Sequence, residues 1–395
     1  MPANLPSFAL PSASSDEVVH FMSQAPGEAL AFGLLRALVS EKFLTLFALL
    51  FGAGLALQRA RAVEGRAFYL RTGWRLALLG GLGLAHAIGL WHGDVLFYYA
   101  AIGVAALALS GLPARALLGL GGAALLVAPL LLLGLSRLAP LLGGDLRGPA
   151  TLAEALASPA ASGGLGLLGV GAEVRVFREG TYLEMLGARL PLWLTVASSV
   201  VLYYGWRIVG LFLLGMAAQK QGLLAPGARE RRVLRALLGL GLVVGVPLEV
   251  WQAALKAGGP LAVDRSLRLE ALHQVGSLAL ATAYAAAVLL LPVTWLGRAP
   301  LRWLGAVGRL ALSNYLGQTV ACTLIFYSYG LGLFATLTRV QLWGVAALVW
   351  AVQLTLSPLW LRWFVMGPVE WTWRSLTWGA AQPLVRRARG GGAAA

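Results

Sequence analysis

Apolar residues run through this chain in long blocks separated by short polar joins. Nine blocks have the length and polarity of membrane-spanning helices: 43–58, 74–91, 95–111, 115–136, 198–218, 233–252, 271–292, 304–327 and 341–361. The clearest stretch is Gly73–Ala100. One apolar helix runs to Trp91, a polar turn follows at His92-Gly93-Asp94, and a second apolar helix begins at Val95. Two such runs with so short a join predict a hairpin across the bilayer. The expected fold is all-α: a polytopic transmembrane helical bundle of about nine spanning helices (nearer ten if an inward-starting first helix precedes them), with interfacial helices at its edges.

The remaining segments fill in three regions. Residues 1–39 read as an external amino-terminal segment in which Ala29–Val39 is a candidate interfacial helix. The bundle itself occupies 40–361, with a long external segment over 137–189. Within that segment Thr151–Glu154 fits a capping box. Gly164, Gly166 and Gly169 match G-x-G-x-x-G, but no strand precedes them, so nucleotide binding is not inferred there. A single helix from Pro191 to Ala218 would overshoot a hydrocarbon core of about 30 Å, so a bend is expected near Tyr203-Tyr204-Gly205. Small residues at Gly81, Ala85 and Gly89, and at Gly241 and Gly245, mark expected helix–helix contacts. Residues 362–395 read as an interfacial helix, Gly367–Gly379, rich in tryptophan with Glu370 and Arg374 four apart, followed by a basic tail.

Composition agrees with this class. Hydrophobic residues make up 59% and charged residues 12%, against nearer a quarter charged in soluble domains. The single cysteine, Cys322, excludes internal disulfides. The histidines, His20, His86, His92 and His273, lack zinc-site spacing, and no metal is expected. A net charge of +15 would fit nucleic acid in a soluble protein. Here its placement reports topology instead. The joins holding Arg59–Arg75, Arg115, Lys220–Arg235, Arg298–Arg309 and Arg362–Arg389 contain only Glu64, Glu230 and Glu370 as acids. The intervening joins are nearly balanced. By the positive-inside rule the basic joins and the carboxyl terminus are expected in the cytoplasm, and no nucleic-acid partner is expected. Nine crossings then place the first residues outside, which predicts that an inward-starting first helix precedes them.

Chemistry should reside in polar residues buried within apolar helices, where lipid makes an idle ionisable group costly. His86 lies about a turn and a half before the polar turn. His92 and Asp94 are its neighbours there, and a carboxylate that orients an imidazole makes a general base. The alternative is a buried histidine satisfied by a carbonyl or hydroxyl. Arg207, near the middle of its helix, needs an anionic partner: a substrate group, or Asp94 or Glu249 as a structural pair. Lys42, Glu249 and His273 sit at helix ends on the same expected side, and with His86 and Asp94 would line an outward-facing polar vestibule. Asn314 and Gln318, four apart, share a helix face and either line a pathway or bond to a neighbouring helix. Arg66, Arg71 and Arg75 could receive the phosphates of a nucleotide-like donor, although such residues also serve as topology signals and lipid contacts.

Five stretches carry a resemblance to a known family: Lys42–Gln58 (KFLTLFALLFGAGLALQ), Gly83–Tyr99 (GLAHAIGLWHGDVLFYY), Tyr204–Met216 (YGWRIVGLFLLGM), Gly308–Tyr327 (GRLALSNYLGQTVACTLIFY) and Ser357–Leu376 (SPLWLRWFVMGPVEWTWRSL). In this order they cover most of the chain. It resembles the bacterial YeiB-like membrane proteins grouped under a domain of unknown function. Members begin with a helix that ends in Asn-Ile or Asn-Leu; Asn4-Leu5 resembles the tail of that element. The resemblance implies a bacterial inner-membrane location and a distant similarity to multi-spanning membrane acyltransferases. Those enzymes pass an acyl group from a cytoplasmic donor, often acetyl-CoA, to an acceptor across the membrane. Their own histidine lies elsewhere, so His86 is a separate candidate. On this reading His86 is the base, Asp94 its orienter, and acyl-CoA the donor. A transporter for a small anionic solute, with Arg207, Asn314 and Gln318 along its path, is the alternative, and a structural membrane protein the third. The lipid bilayer is an expected partner, a small-molecule substrate is unspecified, and a homo-oligomer is open.

Overall fold

The computed structural model describes residues 1–11, 27–62, 65–142, 169–258, 261–291 and 298–386. Its helices, in chain order, are α1 (Leu5–Ala9), α2 (Glu28–Leu34), α3 (Lys42–Arg61), α4 (Arg66–Gly89), α5 (Leu96–Leu109), α6 (Ala114–Leu138) and α7 (Val170–Glu179). There follow α8 (Tyr182–Lys220), α9 (Ala228–Ala257), α10 (Val263–Leu290), α11 (Arg298–Arg309), α12 (Ala311–Phe326), α13 (Arg339–Trp363) and α14 (Pro368–Trp378). No strand occurs among the described residues, only an isolated bridge between Phe364 and Val385. Among the described residues five helices are long and apolar enough to cross a membrane: α6 (extended to Leu141), α8, α9, α10 and α13. The Thr151–Glu154 capping box, Gly164, Gly166, His20 and residues 387–395 lie outside the described residues.

The carboxyl half of α8 is the axis of the bundle. Between Arg207 and Ala217 nearly every side chain is buried, the pattern of a helix surrounded by others rather than facing solvent on one side. Its approach to α3 is set by two glycines. A Cβ on Gly52 would lie 2.0 Å from the Phe212 carbonyl oxygen, and one on Gly215 would lie 2.0 Å from that of Leu49. The two backbones therefore touch, as small residues allow in lipid. Phe51 stacks on Phe212 at 4.7 Å between ring centres, and Ala48, Leu55, Tyr99 and Leu117 complete this core. A second core joins α1, α7, the first half of α8, α12 and α13 through Leu5, Phe8, Phe177, Met185, Cys322, Phe326 and Leu342.

The element boundaries correct several expectations. α8 spans 39 residues, about 58 Å at 1.5 Å per residue. Its irregularity is a π turn over Val200–Tyr204, where a bend was expected. The 304–327 segment is two helices, α11 and α12, broken at Leu310. The break exposes the α12 amino terminus, and Glu370 of α14 accepts its Leu312 and Ser313 N–H groups at 2.7 and 3.0 Å. A carboxylate there answers both the orphan donors and the helix dipole, so Glu370 has this role rather than a local pair with Arg374. Residues Ala29–Val39 are helical, but Arg36 is directed into the bundle rather than outward. The Gly81–Ala85–Gly89 stripe is not a packing seam, because a Cβ on Gly81 meets nothing within 4 Å. Gly241 and Gly245 do form one, against Ala279 and Leu280 of α10.

Candidate functional site

Two buried polar centres emerge. The first forms where α4 turns into α5. The α4 carboxyl end is held from α8: Arg189 and the Tyr182 hydroxyl both donate to the Gly89 carbonyl, at 2.6 and 2.8 Å. The chain turns over Leu90–Val95, and Asp94 caps the first turn of α5 by accepting Phe97 N–H on Oδ2 at 2.8 Å. Its other oxygen, Oδ1, lies 2.8 Å from His86 Nδ1. Gly83 makes room, since a Cβ there would sit 2.3 Å from Phe97 N and 2.8 Å from Asp94 Oδ2. His86 Nε2 lies 2.9 Å from the Thr319 hydroxyl of α12. An ionised carboxylate can only accept, which assigns the proton of a neutral ring to Nδ1 and leaves Nε2 to accept Thr319 Oγ1–H. The result is a line Asp94–His86–Thr319. His86, Asp94 and Thr319 are 3%, 2% and 1% exposed, so the centre is closed to water. Trp91 and Tyr315 flank the imidazole, with ring centres 6.3 and 5.2 Å away. His92 lies beside Trp91 instead of joining the line.

The second centre lies between α2, α3, α8, α9 and α10. Lys42 pairs with Glu249 and also donates to the Arg36 carbonyl at 2.7 Å. Glu249 in turn meets His273 Nδ1 at 2.9 Å and the Gln252 amide at 3.1 Å. Arg36 donates to Gln252 at 2.7 Å and to Glu270 at 2.8 Å, and Lys256 is 3.8 Å from Glu270. Gly276 leaves the space that Glu249 occupies; a Cβ there would be 2.5 Å from its Oε1. Arg207 sits deeper. It donates to the Gln274 carbonyl at 2.7 Å and to the Thr45 and Ser277 hydroxyls at 2.9 Å each, with Glu41 at 3.8 Å. Its partners are therefore neither Asp94 nor Glu249. Glu41 adopts φ 66°, a left-handed conformation rare for a side chain of its kind, and accepts the Tyr204 hydroxyl. Three π turns, Leu35–Val39, Val200–Tyr204 and Gly241–Gly245, border this centre; such turns gather at functional sites.

The single outward-facing vestibule expected from the sequence is thus two centres, both closed: Lys42, Glu249, His273, His86 and Asp94 are all buried. Lys42, Glu249 and His273 come together; His86 and Asp94 come together elsewhere. Tyr99, on the helix leaving the Asp94 turn, bridges to α3 through the Leu44 carbonyl at 3.1 Å. Asn314 and Gln318 bond to α13: Asn314 to Ser357 at 3.1 Å, and Gln318 to Gln353 at 2.7 Å. Arg71 and Arg75 stack on Trp378 and Trp373 of α14 at 4.5 and 4.7 Å. Arg66 is exposed. Thr319, Glu41, Thr45, Arg36, Gln252, Glu270 and Ser277 were not singled out from the sequence. A lone hydroxyl or amide in an apolar helix carries little signal, because its usual partner is its own backbone. Glu41 announces itself only through its backbone angle.

An all-helical bundle with membrane-length apolar helices and ionisable groups sealed inside defines an integral membrane protein. Residues 218–380 match the family described as a protein of unknown function, DUF418. The chain is 31% identical over 364 residues to the uncharacterized protein YxaH of Bacillus subtilis (strain 168), covering 91% of this chain and 85% of YxaH. It is also 31% identical over 402 residues to the uncharacterized protein YeiB of Escherichia coli (strain K12), covering 97% of this chain and 94% of YeiB. The chain belongs to this YeiB-like family. No solved structure matches it.

Proposed function

We infer that the protein is a membrane acyltransferase whose general base is His86. One observation carries this reading: Asp94 takes Nδ1 of the imidazole at 2.8 Å and leaves Nε2 aimed at a hydroxyl at 2.9 Å. That is the arrangement by which a base draws a proton from an oxygen nucleophile. The nine apolar segments cross a bacterial inner membrane, with the basic joins and the carboxyl terminus in the cytoplasm. Residues 1–39 and the 137–189 segment then lie outside. Arg66, Arg71 and Arg75 lie on the same helix as His86, about 16–30 Å along its axis. Stacking occupies the faces of Arg71 and Arg75, Arg75 also donates one amino group to Gln58 at 2.9 Å, and the remaining guanidinium edges are offered to the phosphates of an acyl-CoA, whose long arm reaches inward.

The test is acyl-CoA turnover by the purified full-length protein. His86→Ala is expected to abolish it, and Asp94→Asn to lower it by about a hundredfold or more, since the amide misassigns the ring proton. Undiminished turnover in His86→Ala rejects the assignment. The second centre supports a different reading, a transporter for a small anionic solute. Arg36, Lys42, Arg207 and Lys256 gather there with Glu41, Glu249 and Glu270, a set of guanidinium and ammonium groups suited to an anionic solute. Counterflow of an anion in proteoliposomes, with no thioester present, would put this reading first.

A further inference from the structure

We propose that Thr319 is the nucleophile of the first half-reaction and carries the acyl group as an ester. This rests on the acyl-transfer reading of His86. The lone pair on Nε2 that a base would offer an incoming acceptor is already engaged by Thr319 Oγ1 at 2.9 Å. With Asp94 fixing the tautomer, Thr319 is the hydroxyl that His86 polarises, in the order carboxylate, imidazole, hydroxyl that activates a nucleophile in hydrolases on unrelated folds. The three groups come from separate places: α4, the turn after it, and α12, with His86 and Thr319 separated by 233 positions in sequence. Nothing in local sequence requires their alignment.

The chemistry balances without a further reagent. Thr319 Oγ1 attacks the thioester carbonyl carbon of the donor as its proton passes to His86 Nε2. The tetrahedral adduct collapses, the carbon–sulfur bond breaks, and the departing thiolate takes the proton from Nε2. An acceptor hydroxyl then attacks the Thr319 ester, its proton moving to Nε2 and on to Thr319 Oγ1 as that oxygen leaves. Donor and acceptor visit in turn, so they need not occupy the centre together. Burial has a use in this scheme, because an ester held where Thr319 is 1% exposed is protected from hydrolysis. The cover on this side is α1, packed with Cys322 one turn beyond Thr319. Phe8 stacks on Trp91 at 4.1 Å, and Ser7 accepts from the Trp91 indole at 3.4 Å. So short a helix is a small element to displace when an acceptor enters from the outer side.

The experiment incubates purified full-length protein with radiolabelled acetyl-CoA, quenches in acid, and maps label by peptide mass spectrometry. Acetyl on Thr319 in the wild type, absent from His86→Ala, is the expected result. Thr319→Val keeps the shape and removes the hydroxyl. It is expected to lose label and about a hundredfold or more of turnover, and Thr319→Ser to regain both. Size-exclusion profiles check that each variant folds. A purely structural threonine would lower stability in Thr319→Val but place no acetyl on residue 319 of the wild type. If Thr319→Val turns over normally while His86→Ala is dead, the relay is overturned and the acyl-transfer reading stands. If the wild type neither takes label nor turns over acetyl-CoA or longer acyl-CoAs, both fall.

Discussion

The two polar centres differ in how they are held. The Asp94–His86–Thr319 line uses three side chains joined by two hydrogen bonds, with Phe97 N–H on Asp94, the Tyr315 carbonyl 3.4 Å from Thr319 Oγ1, and a single carboxylate. The Lys42–Glu249–His273 centre and its Arg36 and Arg207 branches draw on five helices and balance several full charges against one another. A charge removed from the second leaves several full charges uncompensated in a low-dielectric interior, whereas the first holds a single carboxylate, which keeps its Phe97 N–H partner when the imidazole is removed. The second should therefore dominate stability and the first chemistry. Burial alone does not distinguish them: Lys42 and Glu249 are each 0% exposed, as sealed as His86.

The largest effect expected from this contrast is on stability. Glu249→Ala strips Lys42 of its ion pair and His273 and Gln252 of their shared acceptor. Breaking a buried pair from one side costs about 3–5 kcal/mol. In detergent, the heated protein should lose its monodisperse peak at a markedly lower temperature than the wild type. The Glu249→Ala, Lys42→Met double variant should recover part of the loss, because the stranded ammonium goes with its partner. A double variant no more stable than Glu249→Ala alone would show that the ion pair is not what the carboxylate supports.

How much of this was legible in the chain depends on sequence distance. His86 and Asp94 are eight residues apart around one turn, so helix geometry alone could bring them together. Lys42 and Glu249 were legible as polar residues in apolar surroundings, but their 207-residue separation hid the pairing. On α12 the amide Gln318 drew attention and the adjacent Thr319 did not. One residue is about 100° of helix rotation, and that step separates a side chain bonded to α13 from one bonded to His86. The four-residue spacing of Glu370 and Arg374 likewise gave no hint of the carboxylate's partner. A neighbouring helix amino terminus offered three donors: two backbone N–H groups and the Ser313 hydroxyl. The helices were legible because each apolar block carries its own signal. The break at Leu310 had a signal in Arg309, the last residue of the basic join, but the apolar block drawn over 304–327 ran across it.

A change at Gly83 sharpens the comparison from the other side. A Cβ at this position would meet Phe97 N at 2.3 Å and Asp94 Oδ2 at 2.8 Å, both parts of the turn that presents the carboxylate to His86. Gly83→Ala must push that turn away. Overpacking of this kind costs about 1–3 kcal/mol, less than the loss at Glu249. Its effect on turnover should exceed its effect on stability, because a small misplacement of a catalytic group is felt strongly in rate. Assayed together, turnover should fall at least tenfold while the melting midpoint shifts modestly. Equal proportional losses would mean that Asp94 positioning is incidental.

The smallest effect is expected two residues earlier on the same helix. Gly81 belongs to the same run of small residues, yet a Cβ there meets nothing within 4 Å. Gly81→Ala removes a residue of poor helix propensity, worth up to about 1 kcal/mol in favour of the folded helix, and collides with nothing. The midpoint should hold or rise slightly and turnover should be unchanged. Gly83→Ala and Gly81→Ala add the same methyl group to the same helix, with nearly the same lipid exposure in the unfolded reference. Their difference therefore isolates the contact with the Asp94 turn from any general intolerance of bulk in α4. If Gly81→Ala proved as damaging as Gly83→Ala, the spacing to Asp94 would not be the cause, and the case for a finely placed carboxylate beside His86 would lose its support.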